Sequence, residues 1–178
     1  KIVTNRGALR ALAGGSSFGQ DLRQISWLQH EYQTLELLHS AGVPVPKPII
    51  SGENTILMEY IGDIDRPAPS LVETSLSHSQ ARRTFDILID SIERMLANAR
   101  IHADLSAYNV LFWDDNPVII DFPQAVDPRQ NPDAWVIFAR DVERICQYFS
   151  RYNIRTSAPM LARSIWDRHS ADLAPLTT

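Results

Sequence analysis

The stretch HADLSAYNVLFWDDNPVIIDF, residues 102–122, sets Asp104, then Asn109 five positions on, then Asp121 at the end of an apolar run. Oxygen donors spaced in this way suit chemistry on a phosphate. An amide and a carboxylate on one rigid rim can hold Mg²⁺, which takes few protein oxygens and keeps its other positions for water and phosphate. A further carboxylate close by, not tied to the metal, can orient a hydroxyl or accept its proton. Such a set belongs to phosphoryl transfer, where catalysis is mostly positioning and charge neutralisation. In this reading Asn109 and Asp121 hold the metal and Asp104 is the acid–base group. Any one of them alone is an ordinary turn or cap residue; their order around a hairpin sets them apart.

That hairpin has to be built first. NPVIIDF reads as a short buried strand, because Val118, Ile119 and Ile120 are consecutive, β-branched and preceded by the turn-forming Asn116-Pro117. NVLFW reads as its partner, joined through the turn DDNP. Asn109 then opens one strand and Asp121 closes the other. Antiparallel pairing puts both on one rim, with Asp104 just outside it.

Around the hairpin the chain is mostly helical. Residues 1–25, with ALAGGSSFGQD, read as a loop. Ser26–Ser40 reads as a helix with Leu28, Tyr32, Leu35 and Leu38 on one face, Ser26 as N-cap and AGVPVPKP as its stop. Thr55–Gly62 reads as a strand running into the connector DIDRPAPS. Arg82–Asn98 is the strongest helix, with Phe85, Leu88, Ile89, Ile92, Met95 and Leu96 as a broad apolar stripe. Further helices are expected from Val136 to Tyr152 and around MLARSIWDRH. There are no internal repeats, and the order predicts an α+β fold with helices gathered at the C-terminal end.

The totals narrow the function classes. A chain of 178 residues holds one core or two small lobes sharing a seam. Its net charge of −4 argues against a general nucleic-acid binder. The first thirty residues run the other way, with Lys1, Arg6, Arg10 and Arg23 against Asp21, and read as a solvated segment. The single cysteine, Cys146, excludes an internal disulfide and a cysteine-based metal site; at helical spacing from Val142 and Phe149 it reads as a buried thiol. No apolar run approaches the roughly 18 residues that span a bilayer, and no signal peptide opens the sequence, so a cytoplasmic protein without membrane contact is expected.

HADLSAYNVL followed by VIIDFPQAVD closely resembles the catalytic segments of the RIO family of atypical protein kinases, most of all its bacterial branch. ILMEYIGDIDRPAPSLVE is similar to that family's hinge and the segment after it, and ARDVERICQYFSRYNI to its closing helix. GGSSFGQ and WLQHEYQTLELLHSAGVPVPKP resemble its mobile loop and the helix that follows. The resemblance covers nearly all of the chain. It implies a protein-kinase-like fold: a partial N-lobe over residues 1–57, a hinge at 58–62 and a helical C-lobe over 63–178.

The same resemblance implies roles. Asp104 would be the catalytic aspartate, and Asn109 and Asp121 the metal ligands, with Asp121 also the candidate for a transient aspartyl-phosphate. Glu31 takes the place of the helix glutamate that pairs with the ATP-binding lysine. Met58 looks like the gatekeeper, and the backbone of Glu59, Tyr60 and Ile61 would meet the adenine edge. His102 is expected to be a packed, hydrogen-bonded imidazole. ATP with Mg²⁺ or Mn²⁺ is the implied cofactor set; a nucleotide and a protein substrate are the implied partners. Two departures stand out: Ala107 where the family often has Glu, and Ala103 for a commoner Gly. The family's phosphate-covering loop and ATP-binding lysine are expected upstream of GGSSFG; Lys1 stands too close to that loop and is not assigned to it. The expected activity is that of a serine/threonine protein kinase or ATPase. Two other readings stay open: a small-molecule phosphotransferase of the aminoglycoside or choline type, which shares an Asp/Asn/Asp arrangement, and a non-catalytic module that binds a nucleotide or a partner.

Overall fold

The computed structural model describes residues 17–52 and 55–173, with side chains from Trp27 onward within the first helix. Helix α1, Ser17–Ser40, leads through a proline-rich turn into strands β1, Pro48–Ser51, and β2, Ile56–Met58. Helix α2, His78–Ala97, follows a long connector. Strands β3, Val110–Trp113, and β4, Asn116–Ile119, come next, then helices α3, Ala134–Ser150, and α4, Ala158–His169. The result is a mixed α+β molecule with four helices and two antiparallel two-stranded sheets among the described residues.

Helix α2 is framed by its own sequence. Ser77 and Gln80 form a reciprocal capping box at its start, satisfying two backbone N–H groups that have no intrahelical partner. Its stripe of Phe85, Leu88, Ile92, Met95 and Leu96 is buried in the common core, as its spacing predicts. Helix α3 packs Phe138, Val142, Ile145 and Phe149 into the same core. Helix α4 closes it, with Trp166 at 5.4 Å from Trp135 and 5.5 Å from Phe138 between ring centroids.

The β3–β4 hairpin has the expected pairing, from Val110 opposite Ile119 to Trp113 opposite Asn116. Asp114 and Asp115 turn the chain with φ of 48° and 60°, the left-handed pair that matches strand twist in a two-residue hairpin. The connector after β2 is laced to it, Leu71 N–H donating to the Val110 carbonyl at 2.8 Å and Phe112 N–H to Pro69 at 2.9 Å. On the other edge Ile119 N–H donates to Pro44 at 2.8 Å, tying the end of α1 to the same hairpin.

Several boundaries differ from the sequence reading. Helix α1 begins at Ser17, so residues 17–25 are helical rather than a loop, and Ser26 lies inside the helix rather than capping it. The strand after it is confined to Ile56–Met58, with Glu59–Gly62 already in the connector. Its partner Pro48–Ser51 was not anticipated, because its four residues open on a proline and follow Pro44 and Pro46 closely. The run Val118–Ile120 is not uniformly buried: Pro117 and Ile119 face the core while Val118 and Ile120 are half-exposed, as a sheet with one open face requires. Gly62 ends the connector from β2 with φ of 144°, and a Cβ there would meet the Arg66 carbonyl oxygen at 2.5 Å. Only glycine fits that turn. No helix among the described residues is long and apolar enough to cross a membrane.

Candidate functional site

A 3₁₀ turn, Ala107–Asn109, delivers Asn109 to the start of β3. Its side-chain Nδ2 donates to the Asp104 backbone carbonyl at 3.0 Å, and its own carbonyl accepts from Ile120 N–H at 3.0 Å. With the amide nitrogen used in this way, the amide oxygen is left as an acceptor. Asp121 follows β4 with φ of 70°, a left-handed conformation unusual for a residue with a side chain, and its carboxylate is exposed. Backbone strain of this kind persists where the surrounding structure fixes it and clusters at functional sites.

Asn109 and Asp121 line one cleft of about 510 Å³, together with Glu31 from α1 and Met58, Glu59, Tyr60 and Ile61 from the end of β2. The residues expected at the metal and the first four of the expected hinge, Met58 to Ile61, therefore line a single cavity, and Gly62 does not. Asp104 lies one wall away. It opens into a neighbouring hollow of about 690 Å³, which shares Asn109 with the cleft.

The two carboxylates sit in opposite electrostatic surroundings. Asp104 is paired with Arg144 of α3, Nη1 to Oδ1 at 2.7 Å. Asp121 faces Glu31 instead. Burial first, then the Asp121 charge, raise the Glu31 carboxyl above its usual range, against a smaller pull from the Phe122 N–H. A cation seated between the two would relieve that repulsion. Among the described residues no three His, Cys, Asp or Glu converge as a metal cluster. The cleft offers the Asn109 amide and the carboxylates of Asp121, Glu31 and Glu59, a hard oxygen set that suits Mg²⁺ and not a soft metal.

His102 is buried as expected, with Nε2 at 2.9 Å from the Ile120 carbonyl and Nδ1 accepting from Asp104 N–H at 3.3 Å. Its ring lies 4.6 Å from that of Phe122, and burial pulls its pKa down, so the imidazole stays neutral. It ties the Asp104 turn to the strand end that carries Asp121. At Ala103 φ is 69°, which explains why a glycine would be at home there.

Four positions that brace the site escaped the sequence reading. Asp141 of α3, 2% exposed, accepts from Ala103 N–H at 2.8 Å and Leu105 N–H at 3.3 Å, bracketing Asp104. Burial pushes its carboxyl up to about 6, only partly offset by these N–H groups and by Arg140 and Arg144. Arg140 donates to the Ala103 carbonyl, and Arg144 holds Asp104 itself. One signal was available: ARDVER puts an aspartate inside the apolar stripe of Phe138, Val142 and Ile145, where a carboxylate needs a partner. On the far side, His30 of α1 is hydrogen-bonded through Nε2 to the Ala125 carbonyl at 2.8 Å, fixing α1 against the loop after Asp121. Lys1 and the first three residues of the GGSSFGQ segment lie outside the described residues; its SFGQ portion is helical in α1.

The model of a family described as the RIO domain matches residues 14–161. The chain is similar to the RIO-type serine/threonine-protein kinase Rio1 of Thermoplasma acidophilum, 38% identical over 130 residues that cover 73% of this chain and 67% of that protein. It is 33% identical to the human serine/threonine-protein kinase RIO1 over 143 residues, 80% of this chain and 24% of the human one. It is also 35% identical to the serine/threonine-protein kinase rio2 of Schizosaccharomyces pombe over 160 residues, 89% of this chain and 44% of that protein. Against the human and fission-yeast relatives the chain thus spans less than half of their length.

Proposed function

Since the chain belongs to the RIO domain family, kinases that generally use ATP and Mg²⁺, we propose that it carries out Mg²⁺–ATP-dependent phosphoryl transfer to a serine or threonine hydroxyl of a protein. With water as acceptor the same site would hydrolyse ATP. The observation that carries this reading is the joint cleft: Asn109 and Asp121 line it together with the 58–61 segment, and Asp104 lines the neighbouring hollow that shares Asn109. Residues 58–62 act as the hinge between a partial N-lobe and the helical C-lobe.

Each residue then has a task. Backbone groups of Glu59, Tyr60 and Ile61 take the adenine edge, with Met58 behind it. Asn109 and Asp121 hold the metal, which when bound neutralises phosphate charge. The hydrogen bond from Asn109 to the Asp104 carbonyl keeps the metal rim and the acceptor-side turn in register. Asp104 orients the incoming hydroxyl and accepts its proton as the new O–P bond forms and ADP departs. His102 and Asp141 position Asp104 through its backbone. Glu31 stands where a lysine ammonium reaching into the cleft would find a carboxylate.

Asp121→Asn in the intact protein is expected to abolish Mg²⁺-dependent ATP turnover, measured as ADP release; unchanged turnover removes the proposal. Transfer by way of an aspartyl-phosphate on Asp121 would leave a hydroxylamine-labile label on the protein after incubation with γ-labelled ATP. A small-molecule kinase would phosphorylate an aminoglycoside or choline in the same assay, and the protein-kinase reading expects neither.

A further inference from the structure

The hollow next to Asp104 is larger than a water molecule needs, and of its lining the adenine and metal reading uses only Asn109. Its wall is a polar stripe of α3 and its C-cap. Arg144, Gln147 and Arg151 recur at the spacing that keeps side chains on one helix face, while Ile145 and Phe149 point into the core. The guanidinium of Arg151 lies over the Tyr148 ring, 4.0 Å from its centroid, with Tyr152 at 5.6 Å. Tyr148 is itself anchored, its hydroxyl donating to the Leu71 carbonyl. Stacking on a fixed ring pre-orients the planar fork, leaving its edge N–H groups for a carboxylate. Among the described residues Arg151 has no carboxylate partner. Asp104 is the one acidic side chain lining the hollow, and Arg144 already answers it.

We propose that this hollow is the acceptor subsite, and that Arg151, with Arg144, recognises an acidic side chain of the protein segment being phosphorylated. The inference rests on the phosphoryl-transfer reading and adds a substrate class to it. Arg144 and Arg151 are seven residues apart, roughly 10 Å along the helix axis. An extended peptide advances about 3.3 Å per residue. A hydroxyl at Asp104 therefore puts the carboxylate that meets Arg151 about three residues from the acceptor serine or threonine. Arg144 has a second role. It holds Asp104 until the acceptor arrives, and a carboxylate beside it offers the guanidinium another partner, freeing Asp104 to take the hydroxyl hydrogen bond.

The test uses the intact protein with Mg²⁺ and a non-hydrolysable ATP analogue, and serine peptides that differ at one position. Glu, Ala or Lys is placed three residues before or after the serine, and binding is read by fluorescence anisotropy. The Glu peptide of one series should bind about tenfold more tightly than its Lys counterpart, the range of one charge-assisted hydrogen bond. The preference should shrink as salt rises. Arg151→Glu should reverse the order, and Arg151→Gln should flatten it; ranking peptides within each variant separates this from a general loss of folding. Equal binding of the Glu and Lys peptides by the wild type overturns the inference, as does tighter binding of a single-stranded RNA oligonucleotide than of either. ATP turnover that remains sensitive to Asp121→Asn in that case leaves the phosphoryl-transfer reading standing. Conversely, a Glu preference in a protein without such turnover supports an acidic-peptide site and overturns the catalytic reading beneath it.

Discussion

Asp104 and Asp121 are both aspartates beside the same asparagine, yet the fold treats them in opposite ways. Asp104 is held in a web: Arg144 on its carboxylate, Asp141 on the N–H groups to either side, His102 on its own N–H. Asp121 is left exposed in a strained backbone, with another carboxylate, Glu31, for a neighbour. The first arrangement fixes direction and the second accumulates negative charge. A group that must aim at a proton needs the former; a group that must hold a cation needs the latter.

Breaking the two sides should therefore give different signatures. Asp104→Asn removes the proton acceptor and is expected to lower kcat for peptide phosphorylation by about 10²–10⁴-fold with nucleotide affinity nearly unchanged. The check is a kcat and KM comparison alongside nucleotide binding. Asp141→Ala leaves the buried N–H groups of Ala103 and Leu105 without an acceptor, at about 2–4 kcal/mol of stability by denaturant titration.

The charge on Asp141 supplies a pH test. Its carboxyl is raised from an ordinary 3.8 to about 6 in the folded protein, so folding favours its protonated form. The stability this contributes is complete only well below the unfolded value of 3.8 and is lost as pH rises from there through 6. Relative to Asp141→Asn, the wild type should lose roughly 3 kcal/mol between about pH 3 and pH 7 and then level off. A difference that is flat across this range contradicts the assignment. Glu31→Gln sharpens the other side: removing one carboxylate from the cleft should raise the Mg²⁺ concentration for half-maximal turnover about threefold. At the bottom of the scale, Arg163→Ala breaks the exposed Arg163–Asp167 pair on α4, 3.0 Å long, and should change stability by no more than about 0.5 kcal/mol.

How much of this the chain announced depends on whether the cause is local. The hairpin was legible because a run of β-branched residues and a nearby turn determine it within a dozen positions, although the turn itself is Asp114-Asp115 and Asn116 and Pro117 already belong to β4. Helix α2 was legible because its stripe and cap are both contiguous. The first turns of α1 were not, since Gly19 and the serines around it have poor helix propensity and read as loop. The pairing of Asp104 with Arg144, and of Asp141 with the Ala103–Leu105 backbone, joins positions about forty residues apart. Only tertiary packing decides such contacts. Ala103 shows the same limit from the other side: the departure from glycine was visible, but its meaning needed a φ of 69°.

The central claim is that Asn109 and Asp121 share a divalent ion with a nucleotide's phosphates. Mn²⁺ titrated into the intact protein with a non-hydrolysable ATP analogue, followed by the loss of the free-ion EPR signal, tests it most directly. The account predicts a protein–Mn²⁺–nucleotide complex that is weakened at least tenfold by Asp121→Asn and by Asn109→Ala, and left intact by Asp104→Asn. Undiminished Mn²⁺ binding in both of the first two variants would contradict it.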